Sequence, residues 1–101
     1  MKTYSGSRTI DGIKVTVDGA PLDERYDLAR FTTMGFEWTY EGDSPRQLSL
    51  AILADHLGDG ERAKALCGAF MSAVIANLDN DWQLTSADID AALNEIGRKA
   101  S

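Results

Sequence analysis

The chain of 101 residues carries one histidine and one cysteine, so its candidates for covalent or acid–base chemistry can be weighed one at a time. His56 follows Asp55 near the end of an apolar run. Neighbouring residues on a helix point about 100° apart, which leaves Asp55 badly placed to orient the imidazole as a catalytic partner. A histidine close to a helix C-terminus, where cations are favoured, is the simpler reading. Cys67 falls inside an apolar stripe, where free cysteines pack as small hydrophobes, and nothing ties it to His56. With one residue of each kind, a zinc site would need extra carboxylates or a second chain. The acidic run from Asp79 to Asp90 has the outline of a calcium loop, but Gln83 stands where Asp or Asn is usual and Leu84 where the sharp turn needs glycine. Glu37 and Glu41 could share a strand face, yet acid–base work would require a cleft and a shifted pKa. No glycine-rich phosphate cradle is present. The sequence therefore points to no catalytic residue, no metal ligand and no cofactor.

A second kind of chemistry is recognition. Between Asp23 and Met34 the chain interleaves Arg25, Tyr26, Arg30 and Phe31, cations and rings that could stack on exposed bases. Asp23, Glu24 and Asp27 cancel that charge, and the whole chain holds 16 acidic against 10 basic residues, a net charge of −6. Phosphate would be repelled, so nucleic-acid binding is not expected. A connection of this length is more often a loop that contacts a partner.

The elements that must position these residues divide the chain at about residue 42, within one α+β domain spanning residues 1–101. Composition is that of an ordinary globular domain, 44% hydrophobic and 26% charged. No run approaches the roughly 18 apolar residues of a membrane span, and no apolar stretch follows the N-terminal lysine. The lone cysteine suits a reducing compartment, so a cytoplasmic protein with no membrane contact is expected. Asp11-Gly12 and Asp18-Gly19 bracket the alternation Ile13, Val15, Val17, which predicts hairpins with tight primed turns. Pro21 argues against a central strand after the second turn. A further alternation, Phe36, Trp38 and Tyr40, predicts the third strand of a small N-terminal antiparallel sheet.

The remainder predicts about three C-terminal helices packed on that sheet. Ser44, Pro45 and Gln47 fit a capping box opening a helix that Gly58 stops near Leu57. Asp59 caps a second helix running to about Leu78, with Ala63, Leu66, Cys67, Phe70, Met71, Val74, Ile75 and Leu78 on one face. After a turn at Asp79-Asn80-Asp81 and a short extended link at Trp82-Gln83-Leu84, Thr85 to Asp88 form another box-like start. Ile89, Ala92, Leu93 and Ile96 then make a narrow stripe, and Gly97 is a stop. The opposite face of the second helix holds Ala65, Gly68, Ala69, Ser72, Ala73, Ala76 and Asn77, with no charge between Lys64 and Asp79. Solvent-facing helix surfaces normally carry Lys and Glu, so this flank must be covered by its own chain or by a second copy.

The stretch Gly35-Phe36-Glu37-Trp38-Thr39-Tyr40-Glu41-Gly42, followed by Pro45, Gln47-Leu48 and Leu50-Ala51-Ile52-Leu53, resembles a family of small proteins of unknown function found in bacteria, phages and plasmids. Tyr4, Gly6 and Arg8 and the later Trp82, Leu84 and Ile89 extend the similarity over nearly the whole chain. The resemblance implies a mobile-element or phage setting, where small acidic proteins often bind a host protein, and it transfers no catalytic residue. Sheet packing, turn freedom and helix capping account for every residue of the central motif except Glu37.

The reading that follows is a non-enzymatic protein acting through protein–protein contact, with homodimerisation as one form of it. Its contact candidates are Arg25, Tyr26, Arg30, Phe31, Glu37, Gly68, Ser72 and Ala76. The alternative is a small ligand-binding domain or enzyme with a pocket near Glu37, Tyr40 or His56.

Overall fold

A computed structural model describes residues 2–100, with the side chains described through Arg98. These residues form a four-stranded antiparallel sheet and three helices, in the order β1 (Thr3–Thr9), β2 (Gly12–Val17), β3 (Ala20–Pro21), α1 (Asp43–Leu57), α2 (Gly60–Ala73), a 3-10 turn (Ile75–Asn77), β4 (Trp82–Thr85) and α3 (Ser86–Ala100). The expected α+β architecture is present, but one of its strands is not where the alternation put it.

The spatial order of the sheet is β3-β2-β1-β4. β1 and β2 pair from Tyr4↔Val17 to Thr9↔Gly12, and β4 joins the far side of β1 through Tyr4↔Leu84 and Gly6↔Trp82. The hairpin signals act in different ways. Asp18 and Gly19 take φ of 50° and 85°, the primed turn that Asp-Gly favours. At the other end the central turn residues are Ile10 and Asp11, and only Gly12 has positive φ, so this turn is not primed. Instead the Thr9 hydroxyl receives the Asp11 N–H and donates to the Gly12 carbonyl. Pro21 sits where a residue without an N–H is tolerated, on a two-residue edge strand.

Residues 36–40 do not form the expected third strand. Thr39 has φ of 80° and Gly35 of 84°, which breaks the extended run at both ends. Trp38 is fully buried, whereas Tyr40, two residues later, is exposed. The extended link Trp82–Thr85 takes the strand position instead, because pairing with β1 satisfies its backbone groups and lays the Trp82 ring over Gly6. A Cβ on Gly6 would lie 2.3 Å from Trp82 Nε1, so this register requires glycine there.

α1 is the enclosed helix. From Ser44 to Ala54 every residue but Arg46 is buried, as the shortage of polar positions implied. Its N-cap is Gly42, without a side-chain cap, so the capping box centred on Ser44 does not form. Ser44 Oγ shares a hydrogen bond with Thr32 Oγ1, and Gln47 faces the 23–34 loop. Pro45 falls in the first turn, where its missing N–H costs little. The stop is as expected: Gly58 adopts φ 65° and returns its N–H to Ala54. Asp59 then accepts the N–H groups of Glu61 and Arg62 and starts α2.

α2 is shorter than its periodicity suggests, ending at Ala73 before the 3-10 turn. Its buried residues are Ala63, Cys67 and Phe70, a single stripe against α1. Ser49 Oγ donates to the Cys67 carbonyl at 2.7 Å inside that contact. α3 opens with the reciprocal box expected: Thr85 N–H to Asp88 Oδ2, and Asp88 N–H to Thr85 Oγ1. It continues through Gly97 rather than stopping there. The chain does not wrap the neutral flank of α2. Ala65, Ala69, Ser72 and Ala73 are exposed and Gly68 and Ala76 half-buried. A domain of this size encloses one helix, and α1 occupies that place.

Candidate functional site

Glu37, the motif residue without a folding role in the sequence, has one in the structure. Arg8, on the core-facing side of β1, lies 4.6 Å over the Trp38 ring and reaches Glu37 Oε1 at 2.8 Å. The same guanidinium donates to the Trp38 carbonyl and to Asn80 Oδ1, each at 3.2 Å. Trp38 Nε1 donates to the Asn80 carbonyl, and Trp38 packs edge-on against Trp82 with centroids 5.7 Å apart. The Arg8 contact lowers the Glu37 carboxyl pKa; partial burial opposes it, and the Trp38 N–H assists. Glu37 is thus held ionised as the anchor of an arginine, which opposes a proton-transfer role. Among the described side-chain N and O atoms, Trp82 Nε1 is buried without a partner.

The other candidates for chemistry are also engaged. His56 Nε2 lies 2.7 Å from Asp90 Oδ1, joining the end of α1 to α3. Asp55 turns the other way, receiving the Tyr4 hydroxyl at 2.6 Å and Lys2 Nζ at 3.0 Å. Burial pushes the Asp55 carboxyl up, but these two donors outweigh it and leave its pKa lowered. Burial first, and the adjacent carboxylate second, raise the Tyr4 phenol. Tyr40 is exposed and packs over Gly42. Cys67 is buried and free, with its thiol directed at the Lys64 carbonyl. Among the described residues no three of His, Cys, Asp and Glu gather as metal ligands.

The recognition candidates fall on two separate surfaces. In the 23–34 loop, Arg25 has φ 57° and pairs with Asp27 at 3.1 Å, while Arg30 stacks on Tyr26 at 4.5 Å and Arg46 on Phe31 at 4.4 Å. Each ring therefore meets a cation of its own chain. Arg30 and Phe31 line a polar depression of about 400 Å³ with Thr32, Thr33 and Asp43. This loop is fixed from beneath by Gln47, which is buried. Its Nε2 donates to the carbonyls of Glu24 and Ala29 at 2.7 and 3.0 Å, and its Oε1 accepts the Phe31 N–H at 2.8 Å. Its spacing from Ser44 predicts a capping role for Gln47, and nothing in that spacing signals this clamp.

The second surface lies between α2 and α3. Ala69, Ser72, Ala73 and Val74 form one wall and Ala92, Glu95 and Ile96 the other, around an open groove of about 720 Å³. Of the small-residue candidates, Ser72 is in this groove and donates to Glu41 Oε1 at 2.8 Å. Gly68 and Ala76 are not among the groove's lining residues, and a Cβ on Gly68 would touch nothing within 4 Å. Ala92 and Ile96 belong to the narrow stripe predicted for the last helix; both are half-buried and pack against the core from one side. Another depression, about 610 Å³, runs beside β2 and is lined in part by Ile13, Leu22, Met34 and Phe36. Glu37, Tyr40 and His56 line none of these three depressions.

No helix among the described residues is long and apolar enough to cross a membrane. No curated protein and no solved structure matches the chain. A family model does match, from Tyr4 to Glu95, and this span takes in all but the first residue of β1, the Arg8–Glu37–Trp38 cluster, α1 and every lining residue of the α2–α3 groove except Ile96. The chain belongs to that family, the family of unknown function DUF6166.

Proposed function

We propose that this protein works by protein–protein contact rather than by catalysis, and that the α2–α3 groove is its contact surface. One observation carries the reading: an exposed α2 flank without a charge from Ala65 to Ala73 opens onto a groove of small and aliphatic side chains in which Glu95, on the α3 wall, is the one charged lining residue. Water-facing helices normally carry charge, and close approach of another backbone is what small side chains permit. The occupant we favour is a second copy, because the α2 wall presents no charge to its equivalent and Glu95 on the α3 wall already pairs with Arg98 at 3.1 Å. A cytoplasmic location and a phage or plasmid setting, with a host protein as the eventual target, complete the proposal.

A pocket enzyme at Glu37, Tyr40 or His56 would have to release groups already engaged by Arg8, Gly42 and Asp90. Mimicry of nucleic acid by Asp79, Asp81, Asp88 and Asp90 is likewise weakened, since Asp88 caps α3 and Asp90 faces His56.

The test is Ala73→Glu, at an exposed position where a charge does not threaten folding. Sedimentation velocity should show the parent chain self-associating with rising concentration and the variant monomeric at unchanged thermal stability. A parent that stays monomeric throughout, with both chains recovering the same proteins in a pull-down, would refute the assignment.

A further inference from the structure

The sheet has a second unfinished surface, at the edge of β2. The Asp18 N–H donates to the Thr3 carbonyl, and with the β1–β2 register this turns the backbone groups of residues 12, 14 and 16 toward β1. Ile13, Val15 and Val17 therefore direct their N–H and C=O groups to the opposite side. There β3 pairs with Thr16 and Val17, and the Leu22 N–H reaches the Val15 carbonyl. Beyond that point no described residue pairs along the lane. Asp23 captures the Arg25 N–H at 2.7 Å, and Arg25 at φ 57° takes the chain away from the sheet. The Ile13 N–H and C=O meet no partner among the described residues.

Beside this bare edge lies the 610 Å³ depression, with Leu22, Phe36 and Met34 along it. Ile13 and Met34 are exposed, although Ile13 shares the core-facing side of β2 with buried Val15. On the outer side of the strand Lys14 is exposed and forms no ion pair among the described residues.

We infer that the bare stretch of β2 receives an extended segment of another protein, added antiparallel to β2 in the lane that β3 leaves. Unpaired edge N–H and C=O groups are satisfied by another extended backbone, which specifies a strand rather than a helix. The pleat then sets its side chains: apolar residues at alternate positions, resting on Ile13, Met34 and Phe36, and a carboxylate across from Lys14. A second copy fits this edge less well. Two-fold pairing through Ile13 places the two Lys14 side chains on one face, directly opposite or about 7–8 Å apart on the diagonal. This site is separate from the α2–α3 groove and does not depend on it.

Panning a random linear peptide library on the 101-residue chain tests the assignment. Enriched peptides should alternate apolar and polar residues, with Asp or Glu on the polar side. A labelled peptide from that set should bind Ile13→Val as it binds the parent. Ile13→Pro removes an outward N–H and no bond to β1, and should weaken binding about tenfold, the worth of one hydrogen bond. Lys14→Glu, on the exposed side of the strand, should switch the enriched charge from acidic to basic. Ala73→Glu should leave peptide binding unchanged, so failure here and failure of the α2–α3 reading are distinguishable. Enriched peptides without alternation, or selection that Lys14→Glu does not redirect, would overturn the proposal. So would self-association that Ile13→Pro abolishes, since the edge would then belong to a second copy.

Discussion

At the scale of single residues, the chemistry-bearing side chains of this protein hold segments together. Arg8 is the clearest case, because one guanidinium joins the end of β1 to an irregular segment through Glu37 and Trp38 and to the α2–β4 connection through Asn80. Its side chain is about one-third exposed, so we expect Arg8→Ala to cost about 1–2 kcal/mol, from lost charge-assisted bonds and ring stacking rather than from a naked Coulomb pair. Glu37 makes this contact pH-dependent. Its folded pKa lies below the ordinary 4.5, so the folded state binds fewer protons than the unfolded one near that pH. The stabilisation is present in full above the unfolded value and disappears as pH falls through the folded value. Thermal melts recorded downward from pH 5 should show Glu37→Gln with a shallower acid limb than the parent. An identical limb would mean that Glu37 contributes nothing to it.

At the scale of elements, the interesting feature is how a long irregular connection is kept in one shape. The segment from Asp23 to Gly42 has neither strand nor helix, yet its first part, from Glu24 to Phe31, is tied down by one buried side chain of α1. Gln47 satisfies three partly buried backbone groups, at Glu24, Ala29 and Phe31. Gln47→Leu matches the helix and the core but supplies none of those bonds. We expect it to lower stability by about 2–3 kcal/mol and to release the loop. Hydrogen exchange would report it: the Phe31 amide should lose protection while the α1 amides keep theirs relative to global unfolding. Equal protection at Phe31 in both chains would show that the loop holds itself.

For the whole molecule, the decisive fact is that strands from both ends of the chain share one sheet. β1 begins at Thr3 and pairs with β4, which ends at Thr85. Between them the chain encloses α1 and buries Trp38 and Trp82 at the junction of sheet, loop and helix. Such an arrangement has one core and no half that retains it alone. Tryptophan fluorescence and far-ultraviolet circular dichroism should therefore give coincident melting curves, as for a single cooperative unit. Separate midpoints would mean that the helices outlast the sheet. Coverage of the α2 flank belongs to this scale too, because one chain has the surface to enclose α1 but not α2 as well.

Local rules read directly from residue types were legible from the start. Asp18-Gly19, Gly58, Asp59 and the Thr85–Asp88 box each act within a few residues, so their meaning is fixed by spacing alone. The apolar stripe of α2 and the polar-poor run of α1 were legible for the same reason. Phe36, Trp38 and Tyr40 alternate like a strand, but strand formation needs a partner edge, and β4 had taken the one beside β1. Gln47, Glu37 and the two walls of the α2–α3 groove became meaningful only in three dimensions. Their partners lie far along the chain, and long-range proximity is decided by how the elements pack, which no local pattern records.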